Sequence, residues 1–275
     1  ETRNMTTPED IDHFFEVAKA LTLEAAEVSL KLYNIFPHTI ILFFSRHITE
    51  IKDVETKSSV KDLVTKYDRE VEGILFAGLS TEFPDHKLIG EETSSDEKEI
   101  PELTDSPTWI IDPIDGTTNF VHSFPQTCIS IGLAINKNIE IGIIYNPCRD
   151  EMYTAKRGQG AFLNGEPIHT SSTNELEKSL VMFELSSIST VSPINVALSR
   201  LHSFISIAQG VRGIGSVGLS LAYLARGSVD VFQVDGVKPW DVAAGYLIVT
   251  EAGGTVIDTK GIKIFNSLEP LSKIR

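Results

Sequence analysis

Residues 109–120 read W-I-I-D-P-I-D-G-T-T-N-F and deliver two carboxylates, Asp112 and Asp115, onto one tight turn at the end of an apolar, β-rich run. Two acids held that close repel each other unless a divalent cation sits between them. Gly116, Thr117 and Thr118 follow at once. Their backbone N–H groups would form an anion cradle if a helix begins there. The implied chemistry is metal beside phosphate. Two more acids occupy comparable positions, with Glu91 directly after Leu88-Ile89-Gly90 and Asp241 directly after Pro239-Trp240. Each stands at an element end, where a side chain can point into a cleft. A hard cation such as Mg²⁺ takes oxygen ligands, few from protein and the rest from water and substrate phosphate. Asp112, nearest to both other groups, is the natural bridge between two cations. Taken singly, each acid also fits a cap or turn, and Asp241 reads as a helix N-cap.

Positioning these acids requires a mixed scaffold. Apolar residues at helical spacing (Ile11, Phe14, Val17, Leu21, Ala25, Val28, Leu32) predict a helix over 10–33. A second helix is expected over 68–79, with Asp68 as N-cap and Phe83-Pro84 as its stop. Short strands are expected at 87–90 and 108–111. Strands 128–135 and 139–145 join at Asn136-Lys137-Asn138, and 152–155 with 161–163 precede an Asn164-Gly165 turn. Strands at 180–184, 229–234 and 255–257 alternate with helices at 195–207, 218–226 and 240–251, the last two closed by Gly227 and by Gly253-Gly254. The pattern predicts layered sheets and helices, antiparallel in the first half and α/β in the second. Residues 35–48 are apolar but too short and too polar at their ends to cross a bilayer, and Pro37 would break a continuing helix. They read as a buried strand or hairpin, or else as an exposed insertion or interaction patch.

Composition sets the outer limits. The chain has 275 residues, 41% hydrophobic and 23% charged, with a formal net charge of −14. That balance speaks against a nucleic-acid partner, which needs a basic footprint. The acidity fits solubility, or carboxylates awaiting a cation. The two cysteines, Cys128 and Cys148, form no zinc or disulfide pattern, so a reducing, cytoplasmic setting is expected. Residues 1–12 are polar and carry no signal-peptide core, and no membrane association is expected.

The motifs together resemble the inositol monophosphatase family, within the Mg²⁺-dependent, lithium-sensitive phosphatases. The matching residues are G-E-E at 90–92, D-P-I-D-G-T-T-N-F-V-H at 112–122, F-P at 124–125, W-D-V-A-A-G at 240–245 and T-E-A-G-G at 250–254. K-S-S at 57–59 and D-L-V-T at 62–65, with Asp68 beyond, also match. The resemblance implies one domain over 1–275 with a layered α-β-α-β-α sandwich fold, and a homodimer. It implies a first Mg²⁺ on Glu91, Asp112 and the carbonyl of Ile114. A second would lie on Asp112, Asp115 and Asp241, and a third, weaker ion would share Glu91. Gly116 and Thr117 would offer N–H groups to the phosphate. Thr117, hydrogen-bonded to Asp68, would orient and deprotonate a metal-activated water that attacks phosphorus in line, with Glu91 completing the catalytic set. Glu91, Ile114, Asp115, Asp241 and Gly218 would border the substrate. His122 reads as a loop-holding residue rather than an acid.

Departures from the family pattern qualify the resemblance. Residues 35–50 form an apparent insertion. The run after Gly218 is about three residues short of the family's usual length. Val234 stands where relatives tend to carry a Glu, and 261–275 does not resemble the family's ending. A missing last strand would expose a sheet edge. Hydrolysis of inositol monophosphate is therefore the leading expectation. The alternatives are another sugar or polyol phosphate as substrate, or a catalytically impaired phosphatase-like binding protein.

Overall fold

In a computed structural model of the chain, the described residues are 6–33, 54–56, 63–97, 100–184 and 194–257. The apparent insertion at 35–50, the K-S-S loop and the atypical ending at 261–275 lie outside them.

A seven-stranded sheet forms the centre, in the order β3-β4-β5-β6-β7-β8-β9. Its strands are β3 (Lys87–Gly90), β4 (Thr108–Asp115), β5 (Cys128–Ile135), β6 (Asn138–Asn146), β7 (Glu151–Lys156), β8 (Ala161–Leu163) and β9 (Glu166–Ile168). Only β3 and β4 run parallel; every other pair is antiparallel. All eight residues of β4 and of β5 are buried. Such strands read as continuous apolar runs because helices cover both faces. On one face Trp109, Ile111, Ile131 and Leu133 pack under helices α1 (Pro8–Tyr33) and α2 (Lys66–Glu82). On the other, Ile110, Ile144 and Tyr153 meet α6 (Val217–Ala225) and α7 (Pro239–Glu251).

Beyond α6 lies a second sheet. It is parallel, in the order β11-β10-β12, from Gly210–Arg212, Leu180–Phe183 and Val231–Gln233. Parallel neighbours need crossover connections, and α5 (Ile194–Ile207) and α6 supply them. Helix α5 closes the stack by packing Ala197, Leu201 and Phe204 on Phe183 and Val211. The layers therefore run helix, sheet, helix, sheet, helix, as the motifs imply.

Helix α7 lies unusually close to the central sheet. A Cβ on Gly142 would stand 2.6 Å from the Ala244 carbonyl oxygen, and one on Gly132 would stand 2.9 Å from Ala243 Cβ. Two glycines on adjacent strands thus admit the helix backbone, and adding methyl groups here would cost about 1–3 kcal/mol of overpacking each.

Several boundaries differ from the sequence expectations. The second helix starts at Lys66 and is capped by Thr65, with Asp68 in its first turn rather than at the cap. The β5–β6 loop has two residues, Asn136 and Lys137, both left-handed (φ 50° and 64°), which gives a primed hairpin turn. Residues 255–257 hold one bridge residue, Ile257, instead of a strand. The short helices α3 (Glu91–Glu97) and α4 (Thr117–Val121), and the two-stranded ribbon of β1 (Val54–Thr56) and β2 (Leu63–Thr65), carry no periodic signal. Helix α6 is regular and capped by Ser216, so the expected shortness after Gly218 leaves no gap in it.

Candidate functional site

Strand register brings the acids together. Gly90 of β3 pairs with Ile111 of β4 in parallel, so Glu91, the first residue after β3, and Asp112 of β4 follow the same register position side by side. Asp112 pairs with Ser130 of β5. The Ser130 hydroxyl donates to the Trp240 carbonyl at 3.3 Å, which seats the tip of α7, and with it Asp241, against the same register position. A β-bulge between Asp112 and Asp115 lets Pro113 sit in the strand and resets the pairing to Asp115–Cys128. Four acids from three segments far apart in sequence thus converge at one end of the sheet.

The electrostatics report the crowding. Burial pushes the Asp112 carboxyl well above the usual carboxylate range, and the charges of Glu91, Asp115 and Asp241 push it further. The proximity of the Glu91 carboxyl raises Asp112 in the same direction. Burial and the Glu91 charge likewise raise Asp241, against the pull of the Lys238 backbone N–H, which donates to Asp241 Oδ2 at 2.6 Å. Asp241 therefore sits one turn inside α7, reaching back to its start, rather than at the N-cap. Asp115 is raised only to about 6, because hydrogen bonds offset its burial. They come from the Ser216 hydroxyl, Gly218 N–H at 2.7 Å, Val217 N–H at 3.2 Å and the Cys128 thiol at 3.4 Å.

One atom in this cluster has no partner. Asp112 Oδ1 is buried without a hydrogen bond among the described residues. An orphaned carboxylate oxygen amid three other acids is costly, and a cation is the group that satisfies it. The donor set is all oxygen, which suits a hard divalent ion. Among the described residues, no three His, Cys, Asp or Glu side chains are gathered closely enough to hold a metal ion between them. The reason is visible: Asp115 is turned onto the start of α6 and Asp241 onto the start of α7.

The second half of the site is the turn after Asp115. Gly116 adopts φ 89°, and α4 begins there without a side-chain cap on its first N–H groups. The Thr117 hydroxyl reaches Asp68 Oδ1 and the Ile114 carbonyl, each at 3.3 Å. Asp68 is fully buried, and its other oxygen accepts the Thr65 N–H and hydroxyl at 2.8 and 2.5 Å. The Asp68–Thr117 pair expected from the motifs is thus formed. Ile114 presents its carbonyl at the turn while its side chain is buried in the core. Gly218 acts through Asp115, since its N–H is spent there.

Several participants escape a reading of the sequence. Ser216 joins Asp115 to α6, and Cys128 lies against both; the thiol is pushed up by burial, so it is no thiolate nucleophile. Asn119 ties the turn to the segment after β11 by donating to Gln126 and Ile214 carbonyls at 2.8 and 2.7 Å. Buried Glu184, at the end of β10, accepts the Gly215 N–H at 3.0 Å. Ser216 alone stands beside a glycine, Gly215, and the others carry no local sequence signal. Val234 packs its apolar side chain against the α6–α7 core. Neighbouring Asp235 is paired with Arg200 of α5. His122 is exposed at the end of α4.

Fold and site define a metal-dependent phosphoric monoester hydrolase. The chain belongs to the inositol monophosphatase family, whose model matches residues 22–270. It is 44% identical over 211 residues to inositol monophosphatase 1 of Bos taurus, covering 76% of each chain. It is 43% identical over 252 residues to inositol monophosphatase 2 of Rattus norvegicus, covering 91% of this chain and 81% of that one. Among solved structures, it superposes on the Thermotoga maritima IMPase with a TM-score of 0.76 at 31% identity, covering 93% and 90% of the two chains. No helix among the described residues is long and apolar enough to cross a membrane.

Proposed function

We propose that the protein hydrolyses inositol monophosphate to myo-inositol and phosphate, using two Mg²⁺ ions and a third, weaker one. The orphaned Asp112 Oδ1 within the acid cluster, beside the Thr117 turn, carries this reading. Glu91, Asp112 and the Ile114 carbonyl would hold the first cation, and Asp112, Asp115 and Asp241 the second. When bound, these ions ease the deprotonation of water and neutralise charge on the phosphoryl group and the departing alkoxide.

The chain's own groups supply position. The Gly116 and Thr117 N–H groups, at the uncapped start of α4, meet phosphate oxygens. The Thr117 hydroxyl spends its hydrogen on Asp68 or Ile114, so its lone pairs face the incoming water. It accepts that water's hydrogen and aligns its oxygen with phosphorus. Asp68 then receives the proton through Thr117, and no covalent intermediate is needed. Asp115 and Asp241 border the leaving hydroxyl side. We also take the protein to be a homodimer inhibited by millimolar Li⁺, as the family resemblance implies, in the reducing, cytoplasmic setting that its two cysteines, which form no zinc or disulfide pattern, suggest.

Phosphate release over a panel of inositol monophosphates, histidinol phosphate and sugar phosphates tests the reading. Inositol monophosphate should rank among the better substrates, only with Mg²⁺ present, and turnover should fall with Li⁺. A preference for another ester, or indifference to Mg²⁺, would replace this assignment.

A further inference from the structure

We propose that Glu72 is a positioning residue of the acid cluster: its buried carboxylate fixes the first turn of α3 and so aims Glu91 at Asp112. The inference rests on the reading of Glu91 as a metal ligand and adds what holds it. Glu72 is 4% exposed. Its Oε2 accepts the Glu92 N–H at 2.8 Å, and its Oε1 accepts the Thr93 N–H and hydroxyl at 2.9 and 2.6 Å. Both oxygens are thus spent on one turn of one neighbouring helix. Burying a carboxylate is costly, and here all three of these donors belong to the segment that begins with Glu91.

Helix α3 needs such an anchor. It has seven residues, too few to be stable alone, and its first N–H groups require an acceptor. A carboxylate from α2 supplies one across 20 residues of sequence. The preceding strand makes room for it: a Cβ on Gly90 would stand 2.4 Å from Glu72 Oε2 and 2.5 Å from its carboxyl carbon. Gly90 is therefore a glycine because Glu72 passes there.

The same helix serves the other arm of the site. Asp68 lies one turn before Glu72, on the same buried face of α2, and receives Thr117. One rigid helix thus sets the spacing between the Glu91 turn and the Thr117 turn. Loosening Glu72 should free Glu91 while leaving the Thr117 cradle in place.

The test compares Glu72→Ala, Glu72→Gln and Thr93→Val in the full chain. Mg²⁺ affinity is read by calorimetry, backbone exchange by amide hydrogen–deuterium exchange, and substrate KM at saturating Mg²⁺. Glu72→Ala should weaken Mg²⁺ binding about tenfold or more, as loss of a ligand-orienting partner does. It should also speed exchange at Glu92 and Thr93 and leave KM unchanged. Thr93→Val, which removes one donor at an exposed position, and Glu72→Gln, which keeps one acceptor oxygen, should fall between. If Glu72→Ala does not fold, those two variants decide. Wild-type Mg²⁺ affinity in the folded variants, or unchanged exchange in α3, would overturn the proposal. Absence of Mg²⁺ binding in the wild-type protein would instead sink the metal reading itself.

Discussion

Gly218 donates its backbone N–H to Asp115 Oδ2 at 2.7 Å, so an acid of the cluster is fastened to the first turn of α6. The Ser216 hydroxyl donates to the same oxygen and also accepts the Leu219 N–H at 3.2 Å. It therefore serves as helix cap and as carboxylate clamp together. Ser216→Ala should cost about 1 kcal/mol of stability, the usual value of a lost cap, seen as a lower denaturation midpoint. It should also weaken activation by Mg²⁺, whereas Ser216→Thr should restore both. An alanine variant with wild-type Mg²⁺ dependence would show that the hydroxyl matters only to the helix.

The raised carboxyls set a pH dependence in the metal-free protein. Asp112, Asp115 and Asp241 all bind a proton more tightly folded than unfolded. Their contribution to stability is therefore full below the unfolded carboxylate value of about 3.9. It is lost as pH rises, through about 6 for Asp115 and across the raised range of Asp112 and Asp241. Melting temperature with chelator should thus be penalised at pH 8 relative to pH 5, and Mg²⁺ should raise it more at pH 8.

Asp112→Asn separates stability from catalysis. Removing the most crowded charge should make the metal-free protein more stable than wild type at pH 8, with the gap closing near pH 4. Turnover should fall by roughly a hundredfold or more, since the charge that would bind the cations is gone. A variant that is both active and less stable at pH 8 would contradict the site as described.

Thr117→Val keeps the shape of the side chain and removes the hydroxyl that reaches Asp68. Turnover should drop by about 10²–10⁴, the range for a lost proton-handling group, with Mg²⁺ affinity unchanged. Thr117→Ser should retain most activity. Calorimetry and steady-state kinetics on the two variants check this.

Gly116→Ala places a Cβ 3.0 Å from both the Gln126 and Gly215 carbonyl oxygens, at φ 89°. The left-handed conformation alone costs about 1–2 kcal/mol. The turn should shift, lowering both the melting temperature and the affinity for inorganic phosphate. Unchanged phosphate affinity would remove Gly116 from the cradle.

Legibility follows the range of each interaction. The run 109–115 announces a strand that ends in acids, and the hairpin at Asn136-Lys137-Asn138 and the turn at Asn164-Gly165 are readable because turn chemistry is local, whereas β9 after that turn is not. The acid set is readable through motif resemblance, and register brings its members together through Gly90–Ile111 and Asp112–Ser130. The supporting residues are not readable. Glu72 meets α3 across 20 residues and Ser216 meets Asp115 across 101, and neither sits in a run whose period or composition signals a long-range contact. Asp68 and Asp241 read as caps because an acid at the third helical position and one at the cap look alike in sequence. Only the backbone distinguishes them.

The glycine contact between α7 and the central sheet has a consequence for how this enzyme can diversify. With Gly142 and Gly132 touching its backbone, α7 has no slack to slide or tilt, so Asp241 keeps its place whatever the substrate. On the proposed reading, change in which alcohol departs would accumulate away from this contact, at Val234, without disturbing the bond-breaking end.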